Sequence, residues 1–142
     1  MELAISILVM ITIAFGITEF GRAIYQYNTL AKAARDAARY LSARSPGDIN
    51  AIANAKCLAV HGSPACTGPV LTPGLTTAMV SVCDASSCPA DHSLQGTAPV
   101  INLVTVAIGG PNATPFTFNS VVSFVVPDIV FGPISVTMKQ VL

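Results

Sequence analysis

The chain has 142 residues, room for one domain plus an extended element. Its formal net charge is zero, 52% of its residues are hydrophobic, and only 10% are charged. Six of its seven basic residues lie between Arg22 and Lys56, and none falls between Cys57 and Met138. The C-terminal part therefore lacks the basic face that phosphate neutralisation requires, and no nucleic-acid partner is expected. A soluble monomer carries about a quarter of its residues charged. So sparse a charge predicts a chain covered by lipid, by copies of itself, or by both.

Residues 1–44 form one unbroken helical pattern without proline. Leu3 to Thr18 carries no charge and is apolar all round rather than striped, which predicts a helix surrounded on every side. That run spans about 24 Å at 1.5 Å per residue, short of a hydrocarbon core of about 30 Å. Extension to Tyr27 makes up the length and takes in Glu19, with Arg22 three residues on. Two readings of Glu19 and Arg22 stand side by side: an ion pair on the helix surface, or a pair between subunits. A cleaved signal peptide is not expected, because Met1-Glu2 is acidic and no small-residue cleavage site follows the apolar run.

Thr29 to Arg44 is alanine-rich, with Leu30, Ala34, Ala37 and Leu41 on one stripe and Lys32 placed to pair with Asp36 at i,i+4. Ser45-Pro46-Gly47-Asp48 ends this helix. Asp48 or Ser45 then caps a second, short helix from Ile49 to about Val60, stopping at His61-Gly62. Ser63 to Gly74 reads as loop. Strands are expected at Thr76–Cys83, Val100–Ile108, Phe116–Val126 and Ile134–Val141, with a polar loop over Cys83–Gly96 and a second loop, bracketed by Pro127-Asp128 and Gly132-Pro133, that exposes Ile129, Val130 and Phe131. Short connections make the pairing mainly antiparallel. The predicted class is α+β: a helix over 1–44 divided into an apolar half (1–27) and an alanine-rich half (28–44), then a β-rich head over 45–142 carrying the short helix at about 49–60. Burial of the apolar half predicts a membrane-held and self-assembling chain.

Cys57, Cys66, Cys83 and Cys88 are an even set in a small chain, as an oxidising compartment favours. Four cysteines allow three connectivities; Cys57 with Cys66 and Cys83 with Cys88 is the local one. The positive-inside rule would leave the basic segment after the apolar run in the cytoplasm, whereas disulfides need that side to be outside. A basic leader upstream of Met1 would reconcile the two. Cys57, His61 and Cys66 mirror Cys83, Cys88 and His92 as thiol and imidazole groups, but their spacings differ from those of zinc fingers, and no metal or other cofactor is expected. With His61 and His92 the only histidines, no G-x-S-x-G and no phosphate loop, no catalytic residue is assigned. Asn112-Ala113-Thr114 is an acceptor sequon in an expected surface turn, making Asn112 a candidate for glycosylation.

The run Phe15-Gly16-Ile17-Thr18-Glu19-Phe20-Gly21-Arg22, followed by Ala33-Ala34-Arg35-Asp36-Ala37-Ala38-Arg39-Tyr40, resembles the TadE-like pilins. Ile134 to Lys139 resembles, more weakly, that family's last strand. The resemblance implies a pilin-like protein made with a short leader, cut by a prepilin peptidase and held in the inner membrane by its N-terminal helix. It further implies assembly by the inner-membrane machinery into an extracellular helical filament of identical subunits. It also implies a glutamate near the mature N-terminus that pairs with a neighbouring subunit's amino group. Glu2 is the candidate for that role, and Glu19 with Arg22 forms a second assembly position. The alternative from another class is a membrane-anchored minor pilin or ligand-binding module that does not polymerise.

Overall fold

The computed structural model describes residues 2–94 and 101–141, Glu2 by its backbone alone. Helix α1 runs unbroken from Glu2 to Ser42, 41 residues and about 60 Å at 1.5 Å per residue. From Leu3 to Phe15 every side chain is exposed. From Gly16 onward a single stripe at three- and four-residue spacing turns inward: Glu19, Ala23, Leu30, Ala33, Ala34, Ala37, Ala38 and Leu41 are buried. The head packs on α1 as far down as Gly16 and Glu19, through Val125 and Val121. The rod ends where Pro46 follows, and Gly47 takes a φ of +76° with the Ser86 hydroxyl 2.8 Å from where a Cβ would lie.

Helix α2, Ile49–His61, is capped by Asp48, whose carboxylate accepts the amides of Asn50 at 2.9 Å and Ala51 at 3.1 Å. It ends on Gly62 in the left-handed region, with the Gly62 amide on the Leu58 carbonyl. Ala51, Ala55 and Ala59 are buried, and these small side chains let α2 lie close against α1.

A three-stranded antiparallel sheet completes the core. Its order is β1 (Val80–Cys83), β2 (Asn102–Ile108), β5 (Ile134–Gln140). Val80 pairs with Ile108, and Ile108 with Ile134. Leu30, Ala34, Ala37 and Leu41 of α1 join Val80, Val104, Val106 and Ile108 in one apolar cluster. β5 alternates as its sequence predicts, with Ser135, Thr137 and Lys139 exposed and the residues between them turned inward. Its end is fastened to the helix: the Gln140 amide donates to the Arg44 carbonyl at 2.8 Å, and the Val141 N–H to the Ser42 carbonyl at 2.9 Å.

The β region departs from the sequence expectation at three places. The segment before β1 is a 3-10 turn, Thr77–Met79, and only Val80–Cys83 is strand. The expected start of the next strand at Val100 lies outside the described residues, and the strand proper begins at Asn102. A short helix α3, Pro89–His92, interrupts the expected polar loop. The last difference is the largest. Phe116–Val126 is not one strand; β3 is only Thr117–Phe118, and it pairs with β4, Ile129–Val130, which the sequence places in a loop.

Asp128 explains the break. Its carboxylate accepts the Ser120 amide at 2.9 Å and closes the neck of a loop, while Val125 and Val126 both donate to the Val122 carbonyl in a helical turn. Beyond Phe118 the alternation stops, and the apolar residues that follow Ser120 carry no period by which a buried strand can be told from a loop tip. Phe131, expected to be exposed, is partly buried against the core; its ring lies 5.7 Å from Tyr27 edge-on and 5.7 Å from Phe116.

Candidate functional site

Two surfaces bear on function: the bare end of α1 and the carboxylate that ends it. Along Leu3–Phe15 the exposed residues include Leu3 (75%), Leu8 (69%) and Met10 (70%), and no other described residue buries them. Uncharged, large and pointing all ways round the helix, they form a contiguous apolar surface of the kind that marks a membrane or protein contact. By length and composition α1 can cross a membrane.

Glu19 stands where this bare segment meets the head. It is 4% exposed. Arg22 grips both of its oxygens through Nη1, at 2.7 and 2.8 Å, and the Val121 backbone amide donates to Oε2 at 3.2 Å. The Arg22 guanidinium also lies over the Phe118 ring, 5.4 Å from its centroid. A carboxylate taken from water needs such partners. Within the chain Glu19 and Arg22 meet, and the same carboxylate also holds the loop between β3 and β4 against α1. Gly16, one turn earlier, is the matching gap, where a Cβ would touch the Val125 side chain at 3.6 Å. The Glu2 side chain, the other assembly candidate, lies outside the described residues. Lys32 and Asp36 line a groove beside α2 and do not close the pair their spacing predicts; among the described residues the ion pair is Arg22–Glu19.

The cysteines form the local pairs, Cys57–Cys66 and Cys83–Cys88, with Cα atoms 4.7 and 5.5 Å apart. The first ties α2 to the loop after it. The second closes a turn organised by Asp84, a residue the sequence reading passed over. Asp84 is buried and accepts the amides of Gly47 (2.8 Å), Ser86 (3.1 Å) and Ser87 (2.8 Å) and the Ser87 hydroxyl (2.9 Å). Burial by itself raises its pKa; the hydrogen bonds from Gly47, Ser87 and Ser86 outweigh that and hold the carboxyl below the usual range. The signal was present in Asp84-Ala85-Ser86-Ser87, an aspartate with serines two and three residues on, the spacing of an Asx turn.

His61 Nδ1 meets the Gly68 carbonyl at 3.0 Å. His92 Nε2 meets the Thr105 hydroxyl at 2.7 Å, and Thr105 meets Thr137 at 2.7 Å across the open face of the sheet. The ligand atoms of Cys83, Cys88 and His92 lie within 4.8 Å of one another, but the two sulfurs are bonded together and so are not thiolate ligands. A cavity of about 510 Å³ lies beside them, lined in part by Asp91, His92, Thr105 and Asn112. Asn112 is exposed in its turn with a φ of +63°, a backbone state asparagine tolerates.

No curated protein and no solved structure matches the chain. Residues 1–39 match the family model described as TadE-like protein, the family that the Gly16–Arg22 and Ala33–Tyr40 runs resemble.

Proposed function

We propose that the protein is a non-catalytic structural subunit of a Tad-like pilus, held in the inner membrane by α1 and then assembled through it into an extracellular helical filament. The observation that carries this reading is the bare apolar run from Leu3 to Phe15, which the described residues of the head leave uncovered. A filament core of neighbouring helices would bury it at roughly 25 cal/mol per Å², and a bilayer would cover it beforehand. Copies stacked by one repeated heterologous contact do not close, which yields a fibre rather than a ring. The TadE-like match over residues 1–39 supports the association with a pilus system. The two disulfides support a head that faces an oxidising compartment. In this reading Glu2 pairs with a neighbouring subunit, and no nucleic acid, metal or cofactor takes part.

The experiment is to shear filaments from cells that make the protein, image them, and identify their subunits by mass spectrometry. Presence of this chain as the main component is the expected result. Retention in the membrane fraction, with no filament containing it, overturns the structural reading in favour of an anchored minor pilin or binding module. Replacement of Glu2 by glutamine is expected to lower filament yield while leaving membrane insertion intact.

A further inference from the structure

The loop from Val121 to Val126 has no role in the head's core. Its sequence is Val-Val-Ser-Phe-Val-Val, and two of its large side chains are bare: Val121, just past the neck, is 75% exposed and Phe124, at the tip, 84%. Exposed apolar residues on a polar loop would be scattered; here five of six positions are apolar, and they sit together. The loop is also held in place. Asp128 closes its neck through Ser120, the Val122 carbonyl accepts two amides within it, and Glu19 and the Gly16 gap fix it against α1. Two observations say what covers it. The patch is continuous with the apolar surface of α1, because it lies alongside Gly16 to Glu19. And its level is set by charge: Arg22 is the first basic residue after Leu3, and Leu3 to Arg22 is 20 residues, about 30 Å of helix, the thickness of a hydrocarbon core.

We infer that the Val121–Val126 loop is a second, shallow membrane contact that dips into the outer leaflet beside α1 while the subunit is held in the bilayer. With the Arg22 guanidinium at the lipid–water boundary, Gly16 lies about 9 Å further in, within the depth of about 5–10 Å that interfacial apolar segments reach. Three of the loop's amides are already answered within the protein. The Val121 amide is answered by Glu19, those of Val125 and Val126 by Val122, and the charged neck at Asp128 stays on the water side. Two contacts fix more than one does. The helix alone leaves the head free to spin about the membrane normal and to tilt, whereas a loop inserted on one side of α1 sets which face of the head looks toward the bilayer. The inference rests on the membrane-held reading above.

The chain contains no tryptophan, so single-tryptophan variants report cleanly. The full chain is reconstituted into phosphatidylcholine nanodiscs containing lipid brominated near the top of its acyl chains for the loop reporters and the head reference, and near the ends of those chains for the Ile11 reporter, which lies about 16 Å below Arg22. Phe124→Trp and Val121→Trp probe the loop, Ile11→Trp the helix, and Ile49→Trp, at an 80% exposed site on the head, is the water reference. Bromine quenching of the two loop reporters at least about threefold above the Ile49 reporter, with blue-shifted emission, is expected for residues within the leaflet. Loop reporters as unquenched as the Ile49 reporter, with the Ile11 reporter quenched, overturn the inference and leave the membrane-held reading standing. A blue shift that appears only at high protein-to-lipid ratio, without quenching, assigns the loop to a second copy and likewise overturns it. An unquenched Ile11 reporter overturns the membrane-held reading, and this inference with it.

Discussion

Glu19 Oε2 accepts the backbone amide of Val121 at 3.2 Å, joining residues 102 positions apart. The same carboxylate is held by Arg22 from the next turn of the helix. One side chain thus fixes both a cation and a distant loop, and its removal strands two polar partners. A donor left without its acceptor on a part-buried site costs about 1–3 kcal/mol. We expect Glu19→Ala to speed amide exchange at Val121 and its neighbours by about tenfold, a loss of about 1.4 kcal/mol in local opening. Glu19→Gln keeps an acceptor and should lose less. The readout is hydrogen exchange resolved by residue. Unchanged protection at Val121 in the alanine variant would show that the loop is held without the carboxylate.

Asp84 supplies a pH dependence with a definite sign. Its folded pKa lies below the unfolded value, so its charged form stabilises the fold. That contribution is complete above the unfolded value near 3.8 and is lost as pH falls through the folded one. Thermal melting of the head should fall as pH drops below about 4. In Asp84→Asn the charge is gone at every pH, and four donors from Gly47, Ser86 and Ser87 face a weaker acceptor. We expect a loss of about 2 kcal/mol at neutral pH and a flatter melting profile between pH values of about 5 and 2. A melting point independent of pH in the parent chain would remove Asp84 from this role.

The helical half of the fold was legible because its signals are local and redundant. No proline interrupts residues 1–44, the Leu30-Ala34-Ala37-Leu41 stripe has a three- and four-residue spacing, and Asp48 and Gly62 are cap residues by type. β5 was legible by alternation. What was not legible depends on long-range partners. The run from Phe116 to Val126 alternates only over Phe116–Phe118 before Asn119-Ser120 interrupts it, and the decision between strand and loop is made by Asp128 reaching back to Ser120 and by Glu19 reaching Val121. Glu19 and Arg22 stood out as charges in an apolar helix, yet their sequence spacing says only that they meet each other. The loop they hold is invisible until the chain has folded. Phe131, beside Gly132-Pro133, looked exposed for the same reason: its partners Tyr27 and Phe116 are remote in sequence.

The two disulfides should contribute unequally in kind and similarly in size. Cys57–Cys66 spans nine residues and fastens the last turns of α2 to the loop that follows; Cys83–Cys88 spans five and closes the Asp84 turn. In the chain-entropy account, loops of this size each contribute about 2–3 kcal/mol. Cys57→Ser with Cys66→Ser is expected to lower the melting temperature and expose residues 63–74 to protease. Cys83→Ser with Cys88→Ser should also raise the sensitivity of the Asp84 turn to acid. Limited proteolysis with mass mapping distinguishes the two, since cleavage is expected on opposite sides of β1. Identical fragments from both variants would show that the loops are ordered by other contacts.

The bare end of α1 separates anchoring from folding. Leu8 and Ile11 are 69% and 50% exposed and contribute nothing to the cluster formed by Leu30, Val104 and Phe116. An arginine at the centre of a membrane helix costs about 2.5–3.5 kcal/mol on the insertion scale, so Leu8→Arg with Ile11→Arg costs about 5–7 kcal/mol. We expect the double variant to leave the carbonate-resistant membrane fraction, whereas Ile49→Arg, on an exposed site of the head, stays in it. The melting of the head in detergent should be the same for all three chains, because no head contact has been touched. A double variant that remains in the membrane fraction would mean that the anchor lies elsewhere than in Leu3–Phe15. A head that melts earlier would mean that this end of α1 packs on it after all.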